Sequence, residues 1–180
     1  VLTLIIFRIC WGFIGSHHAR FIHFVPSPKG LLNYLSGNAK ARLGHNPLGA
    51  LSVLALLFSV GLQAVTGLFA NDDIAFEGPL AKYVSNGTVE LLTSIHHQNE
   101  KVLIILIVVH LCAIFYYQKF KGENLIKPML LGDKEIDPSE EAKYLPADLG
   151  QASKDGGWQR GLALLLLSLI AVILGYLITN

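Results

Sequence analysis

Residues 91–117 read LLTSIHHQNEKVLIILIVVHLCAIFYY, an apolar run long enough to cross a bilayer as a helix. Imidazole is costly in hydrocarbon, so a membrane helix that keeps histidines is expected to use them. His96 and His110 are separated by about 1400° of rotation at ~100° per residue, only ~40° short of four whole turns. Both side chains are therefore predicted to point to nearly the same side, about 21 Å apart along the axis. His97 falls ~140° from His110 in the helical projection and is the weaker candidate.

The composition is that of an integral membrane protein. Of the 180 residues, 52% are hydrophobic and 15% are charged, whereas a typical soluble domain has about 25% charged residues. The mean hydropathy is +0.50. A net charge of +1 provides no basic field, so nucleic acid is not an expected partner. Cys10 and Cys112 lie in apolar segments without CxxC or CxxCH spacing, and no disulfide, zinc site or covalently attached haem is expected.

Four apolar segments predict an all-α, up-down helix bundle in the lipid bilayer. They are Val1–Gly15, Leu48–Ala70, Leu91–Tyr117 and Trp158–Ile178. The first is shorter than the ~20 residues of a complete span and lacks the features of a secretory signal. We therefore expect it to be the second half of a helix whose beginning is missing.

The connections suggest a division of the chain into three parts. Residues 1–121 are expected to form the membrane bundle and residues 158–180 an additional transmembrane helix. Between them, residues 122–157 are polar and interrupted by Pro128, Pro138 and Pro146, which indicates a linker. Within the first connection, Pro28–Ser36 is predicted to form a short helix on the cytoplasmic leaflet.

The distribution of charge predicts how the bundle is oriented in the membrane. The connections after the first and third segments carry basic residues: Arg20, Lys29, Lys40, Arg42, Lys119, Lys121, Lys127 and Lys134. The positive-inside rule places residues 16–47 and 118–157 in the cytoplasm, and residues 71–90, which begin with an acidic stretch, outside. His96 is then expected near the outer face and His110 deeper, towards the cytoplasmic side.

Two histidines at two depths suit two haems stacked across a bilayer. A b-type haem in a helix bundle is held by axial imidazoles from facing helices. His96 and His110 are therefore the predicted iron ligands. The alternative is a pair of core histidines hydrogen-bonded to backbone carbonyls or to each other.

Other polar residues in or near the apolar segments admit two interpretations. Arg8 could bind a haem propionate through its guanidinium, or it could extend to the cytoplasmic interface. Glu100 and Lys101 could orient a ligand or relay protons, or they could face the aqueous boundary. Gln63 is interpreted as an interhelical hydrogen-bonding residue. The histidines of the basic connection are interpreted as solvated or phosphate-contacting: His17, His18, His23 and His45.

Several stretches carry a family resemblance. FRICWGFIGSHHARF at 7–21, GHNPLGAL at 44–51, residues 67–79 and ENLIKPM at 123–129 resemble parts of the bacterial cytochrome b561 proteins. That family includes the b-type cytochrome subunits of nickel–iron hydrogenases. His96 and His110 match the two histidines of its fourth helix. The resemblance covers about residues 1–134, and the last helix departs from the family's four-helix plan.

The resemblance implies two haems b held by four histidines. One histidine comes from helix one, one from the start of helix two and two from helix four. His96 would pair with the helix-two histidine at the outer side and His110 with the helix-one histidine. Both partners, with the first helix and the start of the second, would precede Val1. The implied function is electron transfer between the quinone pool and a periplasmic c-type cytochrome or a membrane-bound oxidoreductase subunit.

Two other classes of function are open to this sequence. One is a non-redox anchor that tethers an oxidoreductase complex, which need not contain a reducible haem. The other is a proton or solute transporter with His96, Glu100 and His110 as a relay. The sequence shows no inverted repeat or broken helix of the kind expected for transport.

Overall fold

The computed structural model describes residues 1–16, 19–38, 46–122, 125–126 and 157–179. Within them the chain is helical, apart from loops and an isolated antiparallel bridge between Asn71 and Glu77. The helices are α1 (Leu2–Ile14), α2 (Phe21–Phe24), α3 (Pro28–Leu35), α4 (Pro47–Gly67), α5 (Asn86–Phe120) and α6 (Gly157–Thr179), with a 3₁₀ turn at Ala81–Tyr83.

Three of these helices, α4, α5 and α6, are long and apolar enough to cross a membrane, and α1 is a shorter apolar helix. Each coincides with one of the four segments predicted from hydropathy. The expected all-α membrane helix bundle is thereby confirmed. The helix predicted at Pro28–Ser36 is also present, as α3, and its place on the cytoplasmic leaflet stays a prediction.

Local capping fixes where the central helices begin. The Gly49 N–H donates to Asn46 Oδ1 at 2.6 Å, with Pro47 in the first turn of α4. The Thr88 N–H donates to Ser85 Oγ at the start of α5. The 35 residues of α5 correspond to a length of about 52 Å, which exceeds the ~30 Å of a hydrocarbon core. Its polar N-terminal part therefore extends past the apolar span.

Helices α4 and α5 form the main helix–helix interface of the described chain. From His96 onwards, the less exposed residues of α5 recur at intervals of three or four: His96, Asn99, Leu103, Leu106, His110, Ile114 and Tyr117. This spacing is that of one helix face. His96 and His110 therefore lie on the same stripe, which faces α4, as the rotation argument predicted.

The other helices surround this pair. Helix α1 contacts α4 and also α6, the additional last helix. Helix α3 contacts α4, and the Tyr34 hydroxyl lies 2.6 Å from the Tyr117 hydroxyl at the end of α5. This contact connects α3 to the end of α5 nearer His110.

The loop after α4 has a defined shape. Asp72 Oδ1 accepts from the backbone N–H groups of Ile74, Ala75 and Phe76 at 3.0, 2.9 and 2.8 Å. These bonds favour the ionised form and hold the pKa of the Asp72 carboxyl below its ordinary value. The Asn71 N–H donates to Thr93 Oγ1 at 3.1 Å, so the loop is attached to α5 one turn before His96.

Some predictions fall outside the described residues. The linker at 122–157 is among them, apart from residues 122, 125, 126 and 157. So are several residues of the basic connections and of the family motifs: His17, His18, Lys40, Arg42, His45, Glu123, Asn124, Lys127 and Lys134. The domain division stays a prediction.

Candidate functional site

His96 is held by the last two turns of α4. Its Nδ1 lies 3.0 Å from Thr66 Oγ1, and its Nε2 lies 3.0 Å from Gln63 Nε2. A Cβ placed on Gly67 would lie 3.0 Å from His96 Cε1, so the imidazole packs directly against this glycine. Residues 63, 66 and 67 follow the i, i+3, i+4 spacing of a single helix face. The ring therefore contacts α4 at Nδ1, Cε1 and Nε2.

The hydrogen bonds determine which nitrogen of His96 carries the proton. Thr66 Oγ1 donates to the Leu62 carbonyl oxygen at 2.7 Å, which uses the single hydrogen of the hydroxyl. The hydroxyl can then only accept from His96, so Nδ1 is protonated. In the neutral imidazole Nε2 is consequently a lone-pair acceptor, and it receives the amide N–H of Gln63.

The orientation of Gln63 is fixed in turn by Asn99. Asn99 Nδ2 donates to Gln63 Oε1 at 2.7 Å, which leaves the amide nitrogen of Gln63 turned towards His96. Asn99 Nδ2 also donates to the Ser59 carbonyl at 2.9 Å, and Ser59 Oγ donates to Asn99 Oδ1 at 2.9 Å. A continuous hydrogen-bonded network thus runs from Ser59 to Thr66 through His96.

Three members of this network are buried polar residues. Thr66, Ser59 and Asn99 are 1%, 2% and 6% exposed, and they are the buried polar side chains of the described residues. In a membrane, hydrogen bonds and close packing replace the hydrophobic effect as the force between helices, at about 0.6 kcal/mol per bond on average. The interface at this level is accordingly polar.

His110 has a simpler environment. Its Nδ1 lies 3.0 Å from Ser52 Oγ, and no hydrogen bond from the described residues reaches its Nε2. The flanking residues Val109 and Leu111 are exposed apolar side chains of α5. As at His96, a hydroxyl of α4 contacts Nδ1, and Nε2 is the nitrogen that could serve as a ligand.

These contacts allow a test of whether the residues fit haem. Among the described residues, no cluster of three or more His, Cys, Asp or Glu side chains could hold a metal ion. At both His96 and His110, Nδ1 lies 3.0 Å from a hydroxyl, and a ligating histidine usually has a hydrogen-bond partner at its second nitrogen. The porphyrin supplies the equatorial ligands of haem iron, so each histidine need supply only one of the axial nitrogens. His110 fits the group as it stands, and His96 fits it when the Gln63 amide is displaced from its Nε2.

Arg8, the third predicted site residue, lies elsewhere. Its Nη1 donates to the Ala19 carbonyl at 3.2 Å, and its guanidinium carbon lies 5.3 Å and 5.8 Å from the ring centres of Phe21 and Phe24. No contact among the described residues joins Arg8 to His96 or His110. The guanidinium is thus anchored to the segment that follows α1 by a carbonyl and two cation–π contacts.

The other polar candidates differ in exposure and in hydrogen bonding. His97 is exposed and off the stripe that faces α4, as the helical projection indicated. Glu100 and Lys101 are exposed, and neither forms a hydrogen bond within the described part of the chain. Gln63 forms the interhelical hydrogen bond that was expected of it. His23 is half-buried in α2.

The sequence analysis missed four residues of this site: Ser52, Ser59, Thr66 and Asn99. A signal for them exists in the sequence. Ser52, Ser59, Gln63 and Thr66 recur at intervals of seven, four and three residues, which places all the polar side chains of this part of α4 on one face. Asn99 follows His96 by one turn.

The chain is similar to a protein family and to a curated protein. The family model of prokaryotic cytochrome b561 matches residues 1–132, a range that includes both histidines and both helices of the site. A probable Ni/Fe-hydrogenase B-type cytochrome subunit from Rhizobium leguminosarum bv. viciae is 24% identical over 158 residues, which cover 77% of this chain and 66% of that protein. The chain thus spans just under two thirds of its relative's length. No solved structure matches.

Proposed function

Since this chain belongs to the prokaryotic cytochrome b561 family, we propose that its parent protein carries electrons across the membrane through two b-type haems. His96 is an axial ligand of one haem and His110 of the other. The electrons pass between the quinone pool and a periplasmic or membrane-bound redox partner. The observation that supports this most directly is that α5 presents both imidazoles on one face, each with its Nδ1 beside a hydroxyl of α4.

The haem supplies the redox chemistry, because its iron alternates between the ferric and ferrous states. The chain supplies ligands and their orientation. At the level of His110, the Ser52 hydroxyl lies 3.0 Å from Nδ1, which leaves Nε2 as the nitrogen that would hold the iron. At the level of His96, Nε2 has to exchange the Gln63 amide for iron, while Thr66 can stay at Nδ1.

The second histidine that would hold each haem is proposed to come from the family's helix one and from the start of its helix two. This part of the proposal follows from the family resemblance. It gives each haem one ligand from α5 and one from a facing helix, in keeping with haem sites in helix bundles. The iron sites would be about 21 Å apart along the axis of α5.

The two haems are assigned to the two sides of the bacterial inner membrane. Residues 71–90 are proposed to be periplasmic, and residues 16–47 and 118–157 cytoplasmic, on the basis of the basic residues near the membrane. The outer haem then lies next to the loop that Thr93 attaches to α5. Asp72, Asp73 and Glu77 are exposed on this loop and offer an electrostatic surface to a c-type cytochrome or an oxidoreductase subunit.

Arg8 is proposed to bind a haem propionate on the cytoplasmic side. Within the described residues its guanidinium donates one hydrogen bond, to Ala19. Arginine has five N–H donors, so donors remain for a carboxylate while the two aromatic rings hold the group in place. The alternative of simple extension to the interface predicts that Arg8→Gln leaves the haem spectrum unchanged.

Pyridine haemochrome analysis of the full-length protein tests the proposal. We expect two haems b per chain in the wild type and the selective loss of one in His96→Ala and of the other in His110→Ala. His97→Ala is the matched control, since it removes the adjacent imidazole that does not face α4. Undiminished haem in both variants, or a wild-type protein without reducible b-haem, contradicts the proposal. The latter result would favour a non-redox anchor of an oxidoreductase complex.

A further inference from the structure

Thr66 occupies a position between a backbone carbonyl and the predicted ligand His96. Its hydroxyl donates to the Leu62 carbonyl at 2.7 Å and lies 3.0 Å from His96 Nδ1. The side chain is 1% exposed, so water cannot replace it. We propose that Thr66 is a positioning residue: it fixes the tautomer and ring orientation of His96 and thereby lowers the redox potential of the haem bound there. This inference rests on the proposed function.

The geometry leaves the imidazole one favourable orientation. Turning the ring away from Thr66 would leave the Nδ1–H without its hydrogen-bond partner in a partly buried site, which is unfavourable. Gly67 lies against Cε1, where an added Cβ would be only 3.0 Å away. The ring is thus positioned by a hydrogen bond and by a backbone surface that are both supplied by α4.

The direction of the effect on the potential follows from the hydrogen bond. An imidazole that donates its Nδ1–H to an acceptor is a more basic ligand at Nε2. A more basic axial ligand stabilises ferric iron relative to ferrous iron, so the potential falls. The Thr66 oxygen is a strengthened acceptor because its own hydrogen is engaged by Leu62.

The environment of His110 provides an internal contrast. Ser52 Oγ lies 3.0 Å from His110 Nδ1, and it has no second hydrogen bond within the described residues. Its hydroxyl can therefore donate or accept, and it does not dictate which nitrogen of His110 is protonated. The two haems thus receive different support from α4, and a change at Thr66 is expected to affect the haem of His96 alone.

The test is a spectroscopic redox titration of the full-length protein in membranes, with Thr66→Val as the principal variant. Valine keeps the shape of threonine and removes the hydroxyl. We expect both haems to be retained and the one-electron reduction equilibrium of one haem to shift by about fivefold towards the ferrous form, the equivalent of ~1 kcal/mol for one hydrogen bond. At 59 mV per tenfold this is roughly 40 mV. The shifted haem should be the one lost in His96→Ala.

Two further variants complete the experiment. Thr66→Ser restores the hydroxyl and should return the potential to that of the wild type. Thr93→Val removes a threonine hydroxyl of α5 that accepts from the Asn71 backbone and not from His96. It should leave both potentials unchanged. Equal shifts in Thr66→Val and Thr93→Val, or a shift of both haems together, would overturn the proposal.

A Thr66 variant that loses haem also tests the proposal. If Thr66→Val binds neither haem, Thr66→Ala decides, because alanine adds no branched group: a shift or loss confined to the haem of His96 supports the proposal. Loss of both haems in Thr66→Ala, or an unshifted potential, overturns it and indicates a general packing role. A wild-type protein without reducible haem would contradict the proposed function itself. A wild type with two haems, together with a Thr66→Val variant whose potentials are unshifted, would contradict only the role proposed for Thr66.

Discussion

Ser59 and Asn99 form a reciprocal pair across the interface of α4 and α5. The Ser59 hydroxyl donates to Asn99 Oδ1 at 2.9 Å, and Asn99 Nδ2 donates to the Ser59 carbonyl at 2.9 Å. The same Asn99 nitrogen reaches Gln63 Oε1. One amide on α5 therefore joins two turns of α4 and sets the side chain that touches His96.

Asn99→Leu should weaken the α4–α5 interface. The variant loses three hydrogen bonds and leaves the Ser59 hydroxyl and Gln63 Oε1 without their partner, a loss of about 2 kcal/mol at ~0.6 kcal/mol per bond in a membrane protein. The free energy of unfolding in detergent measures it. Gln98→Leu, at the neighbouring exposed position, is the control. An equal loss of stability in both variants would argue against the network.

Ser52→Ala should loosen the haem of His110 and spare that of His96. Removing the group that orients a ligating imidazole typically lowers affinity about 10- to 100-fold. The rate at which haem is captured by an excess of apomyoglobin measures the retention of each haem. Ser94→Ala, at an exposed position of α5, should behave as the wild type. Accelerated loss of the His96 haem instead would show that Ser52 does not act through His110.

Gly67→Ala should displace the imidazole of His96. The added Cβ would lie 3.0 Å from Cε1, closer than ordinary van der Waals contact, so the ring or the helix has to move. We expect an altered spectrum or reduced occupancy of the outer haem, measured by low-temperature absorption. Gly61→Ala is a matched control in the same helix, because its Cβ would lie 3.6 Å from Ile5 Cγ2 and can be accommodated. Identical haem spectra in Gly67→Ala and the wild type would refute this prediction.

The loop that begins at Asn71 should keep its shape down to acidic pH. Because the pKa of Asp72 is lowered in the folded protein, its stabilising effect is complete above the ordinary value of 3.8 and is lost as pH falls through the lower folded value. Amide exchange at Ile74, Ala75 and Phe76, corrected for intrinsic rates, should stay protected until pH is below 3.8. Asp72→Ala should abolish this protection at pH 7, whereas Asp73→Asn, which tolerates the positive φ of 59° at this position, should keep it. Loss of protection well above 3.8 would contradict the assignment.

The membrane helices and the common direction of the two histidines could be predicted from the sequence. Both are local properties: hydropathy is summed along one segment, and helical rotation depends only on residue spacing. The same reasoning placed α3 within one residue of its observed end. The spacing that places Ser52, Ser59, Gln63 and Thr66 on one face of α4 is also visible in the sequence. Their contacts with α5 could not be predicted from it, because the facing helix was not known.

Hydropathy, residue spacing and sequence motifs were therefore sufficient to predict an α-helical membrane protein of the cytochrome b561 family with two histidines on one face of α5. The side chains that contact these histidines could be identified only from the tertiary structure. Thr66 and His96 are 30 residues apart, and Ser52 and His110 are 58 residues apart. Such pairs depend on the rotation and depth at which α4 packs on α5, and periodicity within one helix does not specify either. The position of Arg8 also depends on tertiary contacts, since its guanidinium lies against Ala19, Phe21 and Phe24 of the segment that follows α1.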